Sequence, residues 1–244
     1  MKKLLFSLFV ISLVSTGANA QLKGLINKAK AKVESATGGT SSLSNADIGS
    51  GLKEALKKGV TEQVTKLTAT DGFYRNEAVK ILLPEDLQKV DRKLRQMGMS
   101  NLADEGLKVL NRAAEDAVKE ATPIFVNAIT SMSFNDAKNI LMGADNSATS
   151  YLQTTTTTPL YAKFNPVVKT SLSKVGADKV WAGIISKYNS FPLVAKVNPD
   201  LNDYVTNKAM EGVFKMIAVE EKNIRTNLSS RTSDLLKKVF ALQD

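Results

Sequence analysis

Residues 44–67 read SNADIGSGLKEALKKGVTEQVTKL. Ser44, followed three residues later by Asp47, fits a capping box, in which hydroxyl and carboxylate satisfy the free amides at a helix start. Behind it Ile48, Leu52, Ala55, Leu56, Val60, Val64 and Leu67 keep one face apolar for about five turns of ~3.6 residues each. The stretch predicts an amphipathic helix, and the same grammar recurs down the chain.

Asp71-Gly72 is a turn signal. Pro84-Glu85-Asp86 predicts a first helical turn, with Leu87, Val90, Leu94 and Met97 behind it and Gly98 as the stop. Ser100 opens a longer helix through Leu110 and Ala117, which Thr122-Pro123 restarts as Ile124 to Met132. Ser133 with Asp136 is a second capping box, and Gly143 ends that short helix. Thr154 to Thr158 are poor helix formers and predict a break, after which Pro159 and Pro166 each suit a first turn. Asp178 is expected to cap a helix carrying Trp181 and Tyr188, and residues 190–198 read as irregular. Leu201 to Asn227 predicts a long helix, and Ser230 or a neighbour caps the last one. No period-two run exceeds four residues. The expected class is all-α: one multi-helix orthogonal bundle of about nine or ten helices without significant sheet.

Upstream of this bundle the text changes character. Lys2 and Lys3 precede an apolar run, Leu4 to Val14, and Ala18-Asn19-Ala20 supplies the small residues that a signal peptidase reads. Residues 1–20 are therefore expected to be a cleaved signal peptide, because the run is shorter than the ~20 residues a span requires. Residues 21–43 combine a basic amphipathic segment, with Lys23, Lys28, Lys30 and Lys32 beside Leu22, Leu25, Ile26 and Val33, and a Gly/Ser/Thr linker. Residues 44–244 form the expected helical domain. The expected location is the periplasm of a Gram-negative envelope, soluble or peripherally membrane-associated.

Cysteine and histidine are both absent from the 244 residues. That excludes disulfides, thiol nucleophiles, zinc sites of the Cys or His type and a serine–histidine–acid triad. No cofactor, metal site or catalytic residue is expected. Ser171-Leu172-Ser173-Lys174 matches S-x-x-K but lacks the partner motifs of serine–lysine acyl enzymes. No glycine-rich phosphate cradle occurs. The net charge of +9 is spread along helix faces and interleaved with acids, as in Glu105, Lys108, Arg112, Glu115 and Lys119, which read as one solvated side. Nucleic acid is not expected as a partner. An anionic membrane or glycolipid surface suits the basic residues 21–36 better.

Candidate binding residues are few. Phe73 and Tyr74 follow a turn, where Phe73 pins the loop to the core or the pair floors a pocket. The apolar stripe Leu201, Val205, Ala209, Val213, Ile217 and Ile224 passes Glu220 and Glu221, so one carboxylate leans inward and requires a partner. Arg225 lies four residues beyond Glu221. Arg231 is the expected partner of Glu220, with Arg112 as the alternative.

Taken together, the runs Ala46-Asp47-Ile48, Gly51 to Leu56, Asp71-Gly72-Phe73-Tyr74, Asn111 to Glu115, Pro123 to Val126, Asp203 to Thr206 and Arg231 to Phe240 resemble a family of exported, all-helical bacterial envelope proteins classed as a domain of unknown function. The resemblance implies a helical envelope domain and brings no activity, ligand or catalytic residue. The expected function is a non-enzymatic binding or interaction module. The alternatives are a hydrolase using carboxylate chemistry at Glu220 or Glu221, and a structural protein working through oligomerisation.

Overall fold

The computed structural model of the chain describes residues 44–174, 177–190, 192–193, 196, 200–231 and 233–241. The signal-like residues 1–20, the basic segment 21–43, Gly176 and most of the irregular stretch 190–198 lie outside the described residues. Among those described there are nine α-helices and no strand, so the chain is all-α. In order they are α1 (Asn45–Thr68), α2 (Glu85–Gln96), α3 (Ser100–Val118), α4 (Ala121–Ser131), α5 (Phe134–Leu141), α6 (Ser147–Lys174), α7 (Ala177–Asn189), α8 (Leu201–Thr226) and, after a 3-10 turn (Leu228–Ser230), α9 (Asp234–Phe240).

Both predicted capping boxes form. Asp47 N–H donates to Ser44 Oγ at 3.1 Å while Ser44 N–H donates to the Asp47 carboxylate at 2.9 Å, and Ser133 and Asp136 repeat the pattern at 3.1 and 3.0 Å. The serine hydroxyl and then its backbone amide hold each carboxyl below the ordinary carboxylate range. Gly98 adopts φ +77°, a left-handed value that ends α2 cheaply only at glycine. Ser233, rather than Ser230, caps the last helix and accepts from Leu236 N–H.

α3, α6 and α8 pack on one another at the centre, and α1 packs on α3 and α8. α4 and α5 fill the space between α1 and α6, α2 and α7 flank α3, and α9 closes on α1. α6 and α8 run antiparallel, since Glu221 meets Ala148 while Asp203 and Thr206 meet Tyr161 and Asn165. The core between them is apolar and closely packed. Phe125 and Phe214 meet edge to face at 5.9 Å, and Leu152, Leu160, Phe164, Val168, Val205 and Val213 are fully enclosed. Two helical glycines act as seats for large rings. A Cβ on Gly106 would lie 2.8 Å from the Trp181 ring, and one on Gly212 would lie 2.7 Å from Phe73.

α6 departs from the sequence expectation. Thr154 to Thr158 do not break it, and Pro159 and Pro166 lie inside one 28-residue helix rather than starting new ones. Two physical terms override the local preferences. The Thr154, Thr155, Thr156 and Thr157 hydroxyls donate to carbonyls four residues back, at 2.9, 2.9, 2.5 and 2.6 Å, so they bond within the helix instead of competing with it. Burial of Leu152, Thr156, Leu160, Phe164, Val168 and Leu172 supplies the rest. Each proline removes an amide, leaving the Thr155 and Ala162 carbonyls without their helical donor, and both ring positions face outward. Pro159→Ala restores one such bond on an exposed face. It is expected to stabilise the domain by about 1–3 kcal/mol, read as a higher denaturant midpoint at unchanged slope.

Candidate functional site

The segment between α1 and α2, residues 69–84, crosses the start of α8 as an irregular strap. It begins with a tight turn at Asp71, which adopts φ +65°. Three side chains of one helix, α3, hold it. Asn111, fully buried, accepts from Ile81 N–H at 2.8 Å and donates to Ile81 C=O at 2.9 Å. Its amide thus supplies the pair of bonds that a neighbouring β-strand would give. Glu115, also buried, accepts from the Phe73 and Tyr74 amides at 3.1 and 3.5 Å. Arg112 joins the two ends, donating to Glu115 and to Asp71 at 2.6 Å each. The Asn111–Glu115 run and the Asp71–Tyr74 run, separate in sequence, form one network.

This network corrects the reading of α3. Glu115 is not on a solvated side with Glu105 and Lys119. It lies on the buried face with Leu110, Ala114 and Val118. The available signal was the ring of small residues around it: Ala113, Ala114 and Ala117 bring other backbone close enough for a carboxylate to collect amides. Phe73 pins the strap to the core by packing on Gly212. Tyr74 stays half-buried, with the Lys80 ammonium 5.0 Å from its ring centroid.

Pinning Ile81 inward turns its neighbour outward. Ile81 and Leu83 are buried, whereas Leu82 is 58% exposed. Between this edge and α8 lies an open cleft of about 470 Å³, lined by Leu82, Pro84, Tyr204, Lys80, Lys208 and Lys215 among others. α8 braces the strap directly: Tyr204 Oη donates to Leu82 C=O at 2.8 Å, and Lys215 Nζ donates to Ala78 C=O at 2.7 Å. Burial raises the Tyr204 phenol above its ordinary value, which keeps it a donor. Lys208 pairs with Glu211 at 2.5 Å along the rim. Leu82, Asn111, Tyr204 and Lys215 carried no periodic signal in the sequence. Only the strap brings them together.

At the other end of α8 the two glutamates divide. Glu221 is 6% exposed. Its carboxylate accepts from Ala148 N–H, Thr149 N–H and Thr149 Oγ1, each at 2.8 Å, and so caps α6. Arg225 donates to the same carboxylate at 2.9 Å and to the Ile140 and Leu141 carbonyls at 2.7 and 3.2 Å, closing the end of α5. One buried ion pair therefore splices the end of α5 to the start of α6. Glu220 is only half-buried and accepts from Gln63 Nε2 at 2.8 Å.

The expected pairing of Glu220 with Arg231 is not formed, nor is the alternative with Arg112. Arg231 instead donates to Ile224 C=O at 3.1 Å and Arg225 C=O at 2.9 Å, and its guanidinium stands 5.7 Å from the Phe240 ring centroid. Arg231, itself enclosed, thus caps the open carbonyl end of α8. The helical phase permitted either acid, since Glu221 stands four residues after Ile217 and three before Ile224. Packing against the α6 start selects Glu221. Ser171 of the S-x-x-K match donates to Asp116 at 2.9 Å and ties α6 to α3.

Among the described residues, no cluster of three or more acids stands close enough to hold a metal ion, and no helix is long and apolar enough to cross a membrane. The fold and site define an all-helical domain that binds its own backbone with its buried charges. The chain belongs to the family described as "Protein of unknown function (DUF4197)", whose model matches residues 42–241. No curated protein and no solved structure matches it.

Proposed function

We propose that this protein is an exported, non-enzymatic binding module of the cell envelope, and that it engages its partner at the strap cleft. Residues 1–20 act as the signal peptide, 21–43 as a basic tether that rests on anionic membrane or glycolipid, and 44–244 as the binding domain. Support for export comes from the basic, apolar and small-residue order of the first twenty residues. The observation that carries the binding role is the contrast within the strap. Asn111 and Glu115 are spent on the strap's backbone and Arg112 on its Asp71 carboxylate, while Leu82 is held out beside Tyr204 and three lysines. A rigid edge with an exposed apolar side chain loses little entropy on binding.

A photo-reactive residue installed at position 82 of the full chain, expressed in its native host, tests this reading. Position 142 is the control, because Met142 is equally exposed (63%) and follows α5, whose end meets α8 some twenty residues from Tyr204. The expected result is a discrete envelope adduct at position 82 that is absent at position 142, on a chain whose N-terminus is Gln21. The same adducts at both positions, or none at 82, would remove the strap from the account. An intact Met1 in the membrane fraction would remove export.

A further inference from the structure

A second recess lies apart from the strap, where α1, α8 and the turn before α9 meet. It measures about 260 Å³, and its walls include Lys66, Glu62 and Gly59 of α1, Glu220 and Asn223 of α8, and Ser230. That is below the ~300–1,000 Å³ of sites for drug-sized molecules, so its occupant is small. Ala55, Gly59, Ile224 and Leu236 supply an apolar portion of the lining.

Glu220 is positioned there by two features. Gly59 has no side chain, and a Cβ at that place would lie 3.2 Å from Glu220 Cγ, so the bare backbone leaves room for the glutamate stem. Gln63, 1% exposed, commits its Nε2 to Glu220 Oε2 at 2.8 Å and anchors that oxygen. The other oxygen, Oε1, takes no hydrogen bond from any described residue, and Glu220 lines the recess. α1 brings Lys66 to the same recess one turn beyond Glu62, and Glu62 pairs with Lys58, which also lines it, at 3.8 Å. A carboxylate from α8 and an ammonium from α1 in one recess, over a partly apolar lining, form a complement to a small molecule carrying both charges.

We infer that this recess binds a small zwitterion of dipeptide size, its ammonium on Glu220 and its carboxylate on Lys66. Asn223 and Ser230 supply further donors and acceptors at the wall. The inference is independent of the strap cleft, with which the recess shares no lining residue.

The probe is L-alanyl-L-alanine, titrated into the isotope-labelled full chain and followed by amide crosspeaks. Saturable shifts are expected at Gly59, Gln63, Asn223 and Ser230, with the crosspeaks of Leu82 and Lys215 unmoved. N-acetyl-alanyl-alanine, which lacks the ammonium, and alanyl-alaninamide, which lacks the carboxylate, should each bind at least about tenfold more weakly, the worth of one hydrogen bond to a charged group. Glu220→Gln should weaken the parent dipeptide similarly, and Lys66→Met should do so through the other charge; both variants should melt close to the unsubstituted chain. Absence of saturable shifts, equal binding of the acetylated dipeptide, or unchanged affinity in Glu220→Gln would each overturn the assignment.

Discussion

Glu221→Ala is expected to destabilise the domain by about 3–5 kcal/mol, the cost of stranding one member of a buried ion pair. The magnitude follows from what the carboxylate holds. Without it, the Ala148 and Thr149 amides at the start of α6 lose their acceptor, and the Arg225 guanidinium stays enclosed with only the two α5 carbonyls. Arg225→Ala should cost a similar amount for the converse reason. The double substitution should cost clearly less than the two together, because each single change already breaks the shared contact. Glu220→Gln is the internal control, expected within about 0.5 kcal/mol, since its partner is the neutral Gln63 and one face is open. Chemical denaturation of the four variants reads all of this. A neutral Glu221→Ala would mean that the α5–α6 junction is held by something else.

Asn111→Leu keeps the branched four-atom side chain but removes the amide, and should destabilise by about 2–4 kcal/mol, with the Ile81 N–H and C=O both left inside without partners. The loss should be local before it is global. Amide exchange at residues 78–83 should accelerate far more than exchange in α6 or the centre of α8, because α3 keeps its apolar packing on both. Uniform acceleration across the domain would show that the strap is part of the core's cooperative unit rather than an appendage that α3 holds in place.

α1 was legible because local and tertiary requirements agree there: the SNAD box caps the helix and the stripe Leu52 to Leu67 faces the core. α6 was not, for a reason visible in its buried residues. They recur every fourth position from Leu152 to Leu172, and at ~3.6 residues per turn each step rotates the buried face by about 40°. No fixed apolar side exists to be read, so the threonines and prolines dominate the local signal. Its neighbours change along its length, from α5 and α4 toward α7, and the face turns with them. The candidate site divides in the same way. An inward carboxylate on α8 was readable from phase, but its identity depended on where α6 begins. Arg231 was read as the partner of Glu220, because its place just past the end of α8 does not reveal that it caps that end. The strap network escaped because Asn111 and Glu115 look polar in sequence and become interior only when the strap brings backbone to them.

Amide crosspeaks of labelled protein in unlabelled envelope extract from its native host report whether the strap cleft meets a partner there. Broadening or shifts are expected only at residues 78–85 and in α8 around Tyr204 to Lys215, and Leu82→Asp should abolish them at unchanged melting temperature. Perturbations confined instead to the α4–α6 groove around Ile124, Tyr151 and Lys163, or a spectrum that Leu82→Asp leaves equally perturbed, would contradict binding at the strap cleft.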